Sequence, residues 1–114
     1  MHLFKIYKDI NCLVFMILNS EIRLKNGIVT GTMIELKNSN FIMINSSNGY
    51  IMCGYLNMDT ANKLGDIAGK VTGVSSIEKA LDSKIVELSE NAKKLGLKTG
   101  VSVRKFFNSI LKEK

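Results

Sequence analysis

Among the side chains of this sequence, Cys53 has the neighbours best suited to chemistry. It stands in Asn48-Gly49-Tyr50-Ile51-Met52-Cys53-Gly54-Tyr55-Leu56-Asn57, which opens on a turn signal and continues through β-forming residues. Gly54, directly after it, leaves room for a ligand or a second backbone to approach. A cysteine nucleophile needs exposure and a cation, base or helix N-terminus that favours the thiolate. The only histidine, His2, lies at the N-terminal end, so a cysteine–histidine pair is excluded from the body of the chain. The simpler alternative is a free cysteine filling a buried strand position.

A second constellation is Gly73-Val74-Ser75-Ser76. A glycine that permits close approach, two hydroxyls and a helix start form the kind of turn that binds an anion or a phosphate. The lysine of a P-loop is missing, however, and Ser75-Ser76-Ile77-Glu78 also reads as a capping box that uses the same serine. Asp59, Asp66 and Glu78 are too scattered to form a carboxylate pair; Asp59 is expected to cap a helix and Asp66 to sit in a turn. No cofactor motif or metal-ligand spacing is present, so neither a cofactor nor a metal is expected.

The net charge of +6 is concentrated at one end: Lys98, Arg104, Lys105, Lys112 and Lys114 against Glu113 contribute +4 of it. Lys98, Arg104 and Lys105, near the Leu95-Gly96-Leu97-Lys98-Thr99-Gly100-Val101 linker, suggest a weak nucleic-acid contact as an alternative function. The glycines of that linker are spaced too widely for a phosphate-cradling hairpin. A solvated final helix, with cations near its C-terminus, accounts for the same residues.

These residues must be positioned by a single domain, since 114 residues bury one core without staples. Cys12 and Cys53 have no disulfide or zinc spacing, which fits a reducing, cytoplasmic setting. The apolar run Cys12–Leu18 follows Lys5 and Lys8 like a signal peptide, but its flanks are wrong for cleavage and it is too short to span a bilayer. Residues 1–20 are read as an N-terminal extension containing a buried strand. Residues 21–114 are read as one α+β domain, with a sheet and oligomerisation region over 21–57 and helices over 58–114.

Within the sheet region the pattern predicts an antiparallel β meander. Asn26-Gly27 marks a hairpin turn, and Ile28, Thr30, Thr32, Ile34 and Leu36 share one strand face. Gly31 mid-strand marks a bulge or a close approach. Phe41–Ile44 and Tyr50–Leu56 supply two further strands, apolar on both faces. Ile67–Val71 reads as one more short strand. Three short-to-medium helices then follow, packing on one sheet face. The first runs from Asp59 to Leu64, the second ends near Leu81, and Gly96 ends a longer one from Ser83 that buries Ile85, Leu88, Ala92 and Leu95. Beyond these three, Ser102 caps a last amphipathic helix burying Val103, Phe106, Phe107, Ile110 and Leu111. The other sheet face is left without cover, which predicts a homo-oligomer assembled through the sheet.

Gly49-Tyr50-Ile51-Met52-Cys53-Gly54-Tyr55-Leu56, Gly73-Val74 with Ile77-Glu78 and Leu81, then Ala92, Leu95-Gly96-Leu97 and Gly100 together resemble the YunC-like prokaryotic family of unknown function. The resemblance spans roughly residues 22–111. It implies an N-terminal β-sheet region that mediates tetramerisation, with helices following, and no established activity. The combined reading is a cytoplasmic homotetramer that binds a small molecule or anion, with Cys53, Gly54, Gly73, Ser75 and Ser76 lining its pocket. A cysteine-dependent enzyme using Cys53 is the other alternative. No membrane role is expected, and no substrate or reaction follows from these residues.

Overall fold

A computed structural model describes residues 2–8 and 13–111, so Cys12 and the charged residues Lys112, Glu113 and Lys114 lie outside the described residues. Seven strands form one sheet in chain order. β1 (His2–Lys8), β2 (Leu13–Leu24), β3 (Gly27–Glu35), β4 (Asn40–Asn45) and β5 (Tyr50–Met52) make the expected antiparallel meander. Beyond it the sheet is mixed: β6 (Ala68–Lys70) pairs parallel to β5, and β7 (Glu87–Leu88) pairs antiparallel to β6. The N-terminal extension contributes two strands, not one. β2 runs unbroken through residues 20 and 21, so no domain boundary falls there.

Four helices complete the α+β fold: α1 (Met58–Leu64), α2 (Ile77–Asp82), α3 (Glu90–Lys94) and α4 (Val103–Ile110). Contrary to the expectation from the sequence, they do not all pack on one sheet face. On the first face Leu24, Val29, Ile42, Ile44, Ile51 and Leu88 are buried against Ile77, Ala80 and Leu81 of α2 and Val103, Phe106 and Phe107 of α4. The two phenylalanine rings meet edge to face, with centroids 5.2 Å apart and planes at 86°. On the second face α1 seats Met58 and Ala61 over Met52 and Ala68. The parallel β5–β6 pair requires a crossover connection, and α1 supplies it.

Several local expectations shift for identifiable reasons. The β2–β3 loop is Lys25-Asn26, because Leu24 pairs with Gly27. Gly27 already belongs to the strand, where a Cβ would stand 3.3 Å from Leu111 Cδ1. Gly31 sits in a regular ladder without a bulge, and the close approach is the correct alternative: a Cβ there would lie 2.7 Å from Ile77 Cγ2. Asn57, not Asp59, caps α1, its side chain accepting the Asp59 N–H at 2.7 Å.

The long helix expected from Ser83 does not form. Val86 N–H donates to the Lys70 carbonyl and Ser89 N–H to the Ala68 carbonyl, so this stretch joins the sheet as β7. Ser89 then caps the short α3. Leu95, placed in the core by helical spacing, is 58% exposed. Glu90 pairs with Lys93 at 3.5 Å, not with Lys94.

The last helix follows expectation, with Ser102 as its cap and all five expected side chains buried. Two turn asparagines clamp its far end. Asn26 Nδ2 donates to the Asn108 carbonyl at 2.7 Å, and Asn48 Nδ2 to the Ile110 carbonyl at 2.8 Å. These carbonyls belong to the last helical turn, which has no intrahelical donors left to offer them.

Candidate functional site

The chain leaves the parallel strands β5 and β6 at the same edge of the sheet and then diverges. After β5 it passes to α1 on one face, and after β6 it passes to α2 on the other. Divergence at the carboxyl ends of neighbouring parallel strands opens a crevice between the two departing segments. Here the crevice is a cleft of about 470 Å³ between Cys53-Gly54-Tyr55 and Thr72-Gly73-Val74-Ser75, closed along one side by Ser39 and Asn40.

Four of the five residues expected to line a pocket therefore do so: Cys53, Gly54, Gly73 and Ser75. Ser76 does not. Its hydroxyl accepts the Lys79 N–H at 3.2 Å and serves as the N-cap of α2. That register also corrects the expected capping box: with Ser76 as cap, the third helical position is Lys79, so Glu78 is one residue short of the reciprocal bond.

Cys53 is 5% exposed and belongs to neither apolar cluster. The expected long strand ends before it, at Met52, and Leu56 N–H turns back to the Cys53 carbonyl at 3.2 Å. Gly54 is therefore in a turn, where a Cβ would meet nothing within 4 Å. Gly73 has a φ of +70° and is likewise open on its side-chain side. Among the described residues, the N–H groups of Thr72, Gly73, Val74 and Ser75 donate to no backbone carbonyl. Among the described residues, no histidine, lysine or arginine lines this cleft, so they offer Cys53 neither a base nor a cation.

Sequence reasoning missed Asn40, Tyr55 and Thr72. Asn40 ties the walls together: its Nδ2 donates to the Ser75 carbonyl at 3.1 Å. It was legible only as a turn residue, because nothing local links position 40 to position 75.

Away from the cleft, Tyr50 donates its phenol proton to Asp66 Oδ2 at 2.8 Å. Burial, then the hydrogen bond to this carboxylate and its charge, push the phenol up to about 12. Asp66 is thus more than a turn residue. Of the basic residues suggested for nucleic acid, one is held in an ion pair. Arg104 Nε donates to Asp82 Oδ1 at 2.9 Å, while Lys98 and Lys105 are exposed on either side of the Ser102 cap. Among the described residues, no helix is long and apolar enough to cross a membrane.

Comparison with known proteins agrees with this architecture. Residues 52–110, which contain most of the cleft, match the family model described as Domain of unknown function (DUF1805). The uncharacterised protein YunC of Bacillus subtilis (strain 168) is 32% identical over 87 residues, covering 73% of this chain and 86% of that protein. A crystal structure of TA1206, a protein of unknown function from Thermoplasma acidophilum, superposes with a TM-score of 0.80 at 36% identity, covering 84% of this chain and 94% of that one. With a family model over half its length and a relative matched along most of it, the chain belongs to the YunC-like family and carries this domain of unknown function.

Proposed function

We propose that this protein is a small-molecule-binding homo-oligomer, with its ligand site in the cleft at the carboxyl ends of β5 and β6. The observation that carries this reading is the convergence of Cys53, Gly54, Gly73 and Ser75 on one cleft of about 470 Å³, within the size range of small-molecule sites. Its chemistry suits a polar ligand. Hydroxyl, amide and backbone N–H groups line it beside the Cys53 thiol, and two glycines leave its walls open.

Assembly through the sheet is supported by the second face. Ile17, Ile34 and Phe41 stand side by side across β2, β3 and β4 and remain half-buried, with Met43 beside them. A groove of about 410 Å³ between this face and α1 is lined by Phe41, Met43, Met52 and Leu56. A tetramer in the cytoplasm of a prokaryotic cell is the form we propose for it.

Native mass spectrometry of the untagged protein, alongside a Gly54→Val variant, tests both parts. A Cβ at Gly54 would meet nothing within 4 Å, so Val adds bulk to the cleft wall where the backbone leaves room for it. A reproducible small adduct on the native oligomer that is lost from the variant is the expected result. An adduct retained by the variant would place the ligand elsewhere, and a monomeric mass would remove the assembly.

A further inference from the structure

We infer that the ligand of the Cys53–Ser75 cleft is a neutral planar ring that stacks on Tyr55 and carries a carbonyl beside an N–H, as in a cyclic amide or imide. The assignment rests on the cleft being a ligand site. Tyr55 lines the cleft and is 53% exposed, so much of its ring has no protein neighbour. Directly before it, Gly54 has open space where a Cβ would stand, so the adjacent residue puts no side chain in the way. An aromatic ring left open on a cleft wall is a stacking surface for another flat ring.

Charge narrows the class further. Among the described residues, no aspartate, glutamate, lysine or arginine lines this cleft. An ionic group entering it would give up water and gain no counter-charge, whereas a neutral ring gives up far less.

The polar groups on the walls define the edge of the ring. Asn40 Nδ2 donates to the Ser75 carbonyl at 3.1 Å and to Met33 Sδ at 3.6 Å. These two contacts use both amide protons and fix which way the amide is turned, so Oδ1 is what it has left to offer. Along the adjoining wall, the N–H groups of Thr72, Gly73, Val74 and Ser75 donate to no backbone carbonyl among the described residues. One acceptor beside a row of donors complements a carbonyl next to an N–H, the pair that a cyclic amide presents along one edge.

Uracil, a neutral cyclic imide, tests the assignment when titrated into the full-length, isotope-labelled protein and followed by amide chemical shifts. It should give saturable shifts at Gly54, Tyr55, Gly73 and Ser75. 1,3-Dimethyluracil keeps the ring and carbonyls without an N–H, and should bind about tenfold or more weakly because Asn40 Oδ1 then faces no donor. Orotate, the same ring bearing a carboxylate, should also bind more weakly than uracil. Tyr55→Phe keeps the stacking surface and should bind uracil as the native protein does, whereas Tyr55→Ala should lose about fivefold or more. No saturable uracil shifts, equal binding of the dimethyl compound, tighter binding of orotate or native affinity in Tyr55→Ala would overturn the inference. A native adduct lost from Gly54→Val, together with no uracil binding, would overturn the ring alone and leave the cleft as a ligand site. An adduct retained by Gly54→Val would remove both readings.

Discussion

Tyr50 and Asp66 show how one partly buried contact becomes a pH dependence. With the phenol pushed up to about 12, the folded state keeps its proton after the unfolded chain, near 10, has lost it. Between those values the unfolded state binds fewer protons than the native one, so stability falls as pH rises through that window. The contribution is intact below about pH 10. Thermal melts from pH 9 to 12 should therefore show a steeper alkaline decline for the native protein than for Tyr50→Phe, which has no phenol to titrate. Parallel curves would mean that other groups govern alkaline unfolding. This pairing was hidden in the sequence, where Asp66 looked like an ordinary turn residue. It forms because β5 and β6 lie side by side and the Tyr50 N–H is bound to the Ile67 carbonyl.

Ser89 governs a whole element. Its hydroxyl donates to the Asp66 carbonyl at 2.8 Å and accepts from the N–H groups of Ala68 at 3.0 Å and Ala92 at 3.3 Å. One fully buried side chain thereby starts α3 and fastens it to β6. Ser89→Ala leaves these backbone groups without that partner and should cost about 1–3 kcal/mol in urea unfolding. A loss below about half a kilocalorie per mole would mean that another group takes over its bonds. The same residue explains the main misreading of the sequence. Ile85, Leu88, Ala92 and Leu95 have helical spacing, yet a serine interrupts them and the preceding residues pair with β6. Periodicity measures which residues face inward; here a short strand and a short helix in succession produce the same pattern. The final helix was legible because its cap, its apolar stripe and its phenylalanine pair all agree. The cleft was legible in four residues, since glycine and cysteine mark themselves locally. Asn40 enters only through the chain's tertiary path, which no local pattern encodes.

For the whole molecule, the decisive feature among the described side chains is a sheet whose first face is covered by α2 and α4, while its second is covered by a helix at the β5–β6 end. If the remaining face is where copies meet, a charge there should separate them without unfolding each chain. Phe41→Lys should shift the native mass to a smaller species and keep the far-ultraviolet circular dichroism. An unchanged oligomer would move the interface elsewhere. The mixed sheet also shows what the composition concealed. Apolar residues on both faces of the Tyr50–Met52 strand suggested a partner subunit, but at that position α1 supplies the cover.

The clamping of α4 by Asn26 and Asn48 has a consequence for the order of events during synthesis. Every strand that α4 covers is translated before it, so the apolar face of the sheet leaves the ribosome without its lid. The two amides that will hold the lid wait in turns made some sixty to eighty residues earlier. Until then, unclosed sheet and open apolar surface are available to other nascent chains, the condition under which aggregation competes with folding. The protein's most vulnerable moment is thus the interval just before its last helix emerges, when a holding chaperone would be of most use.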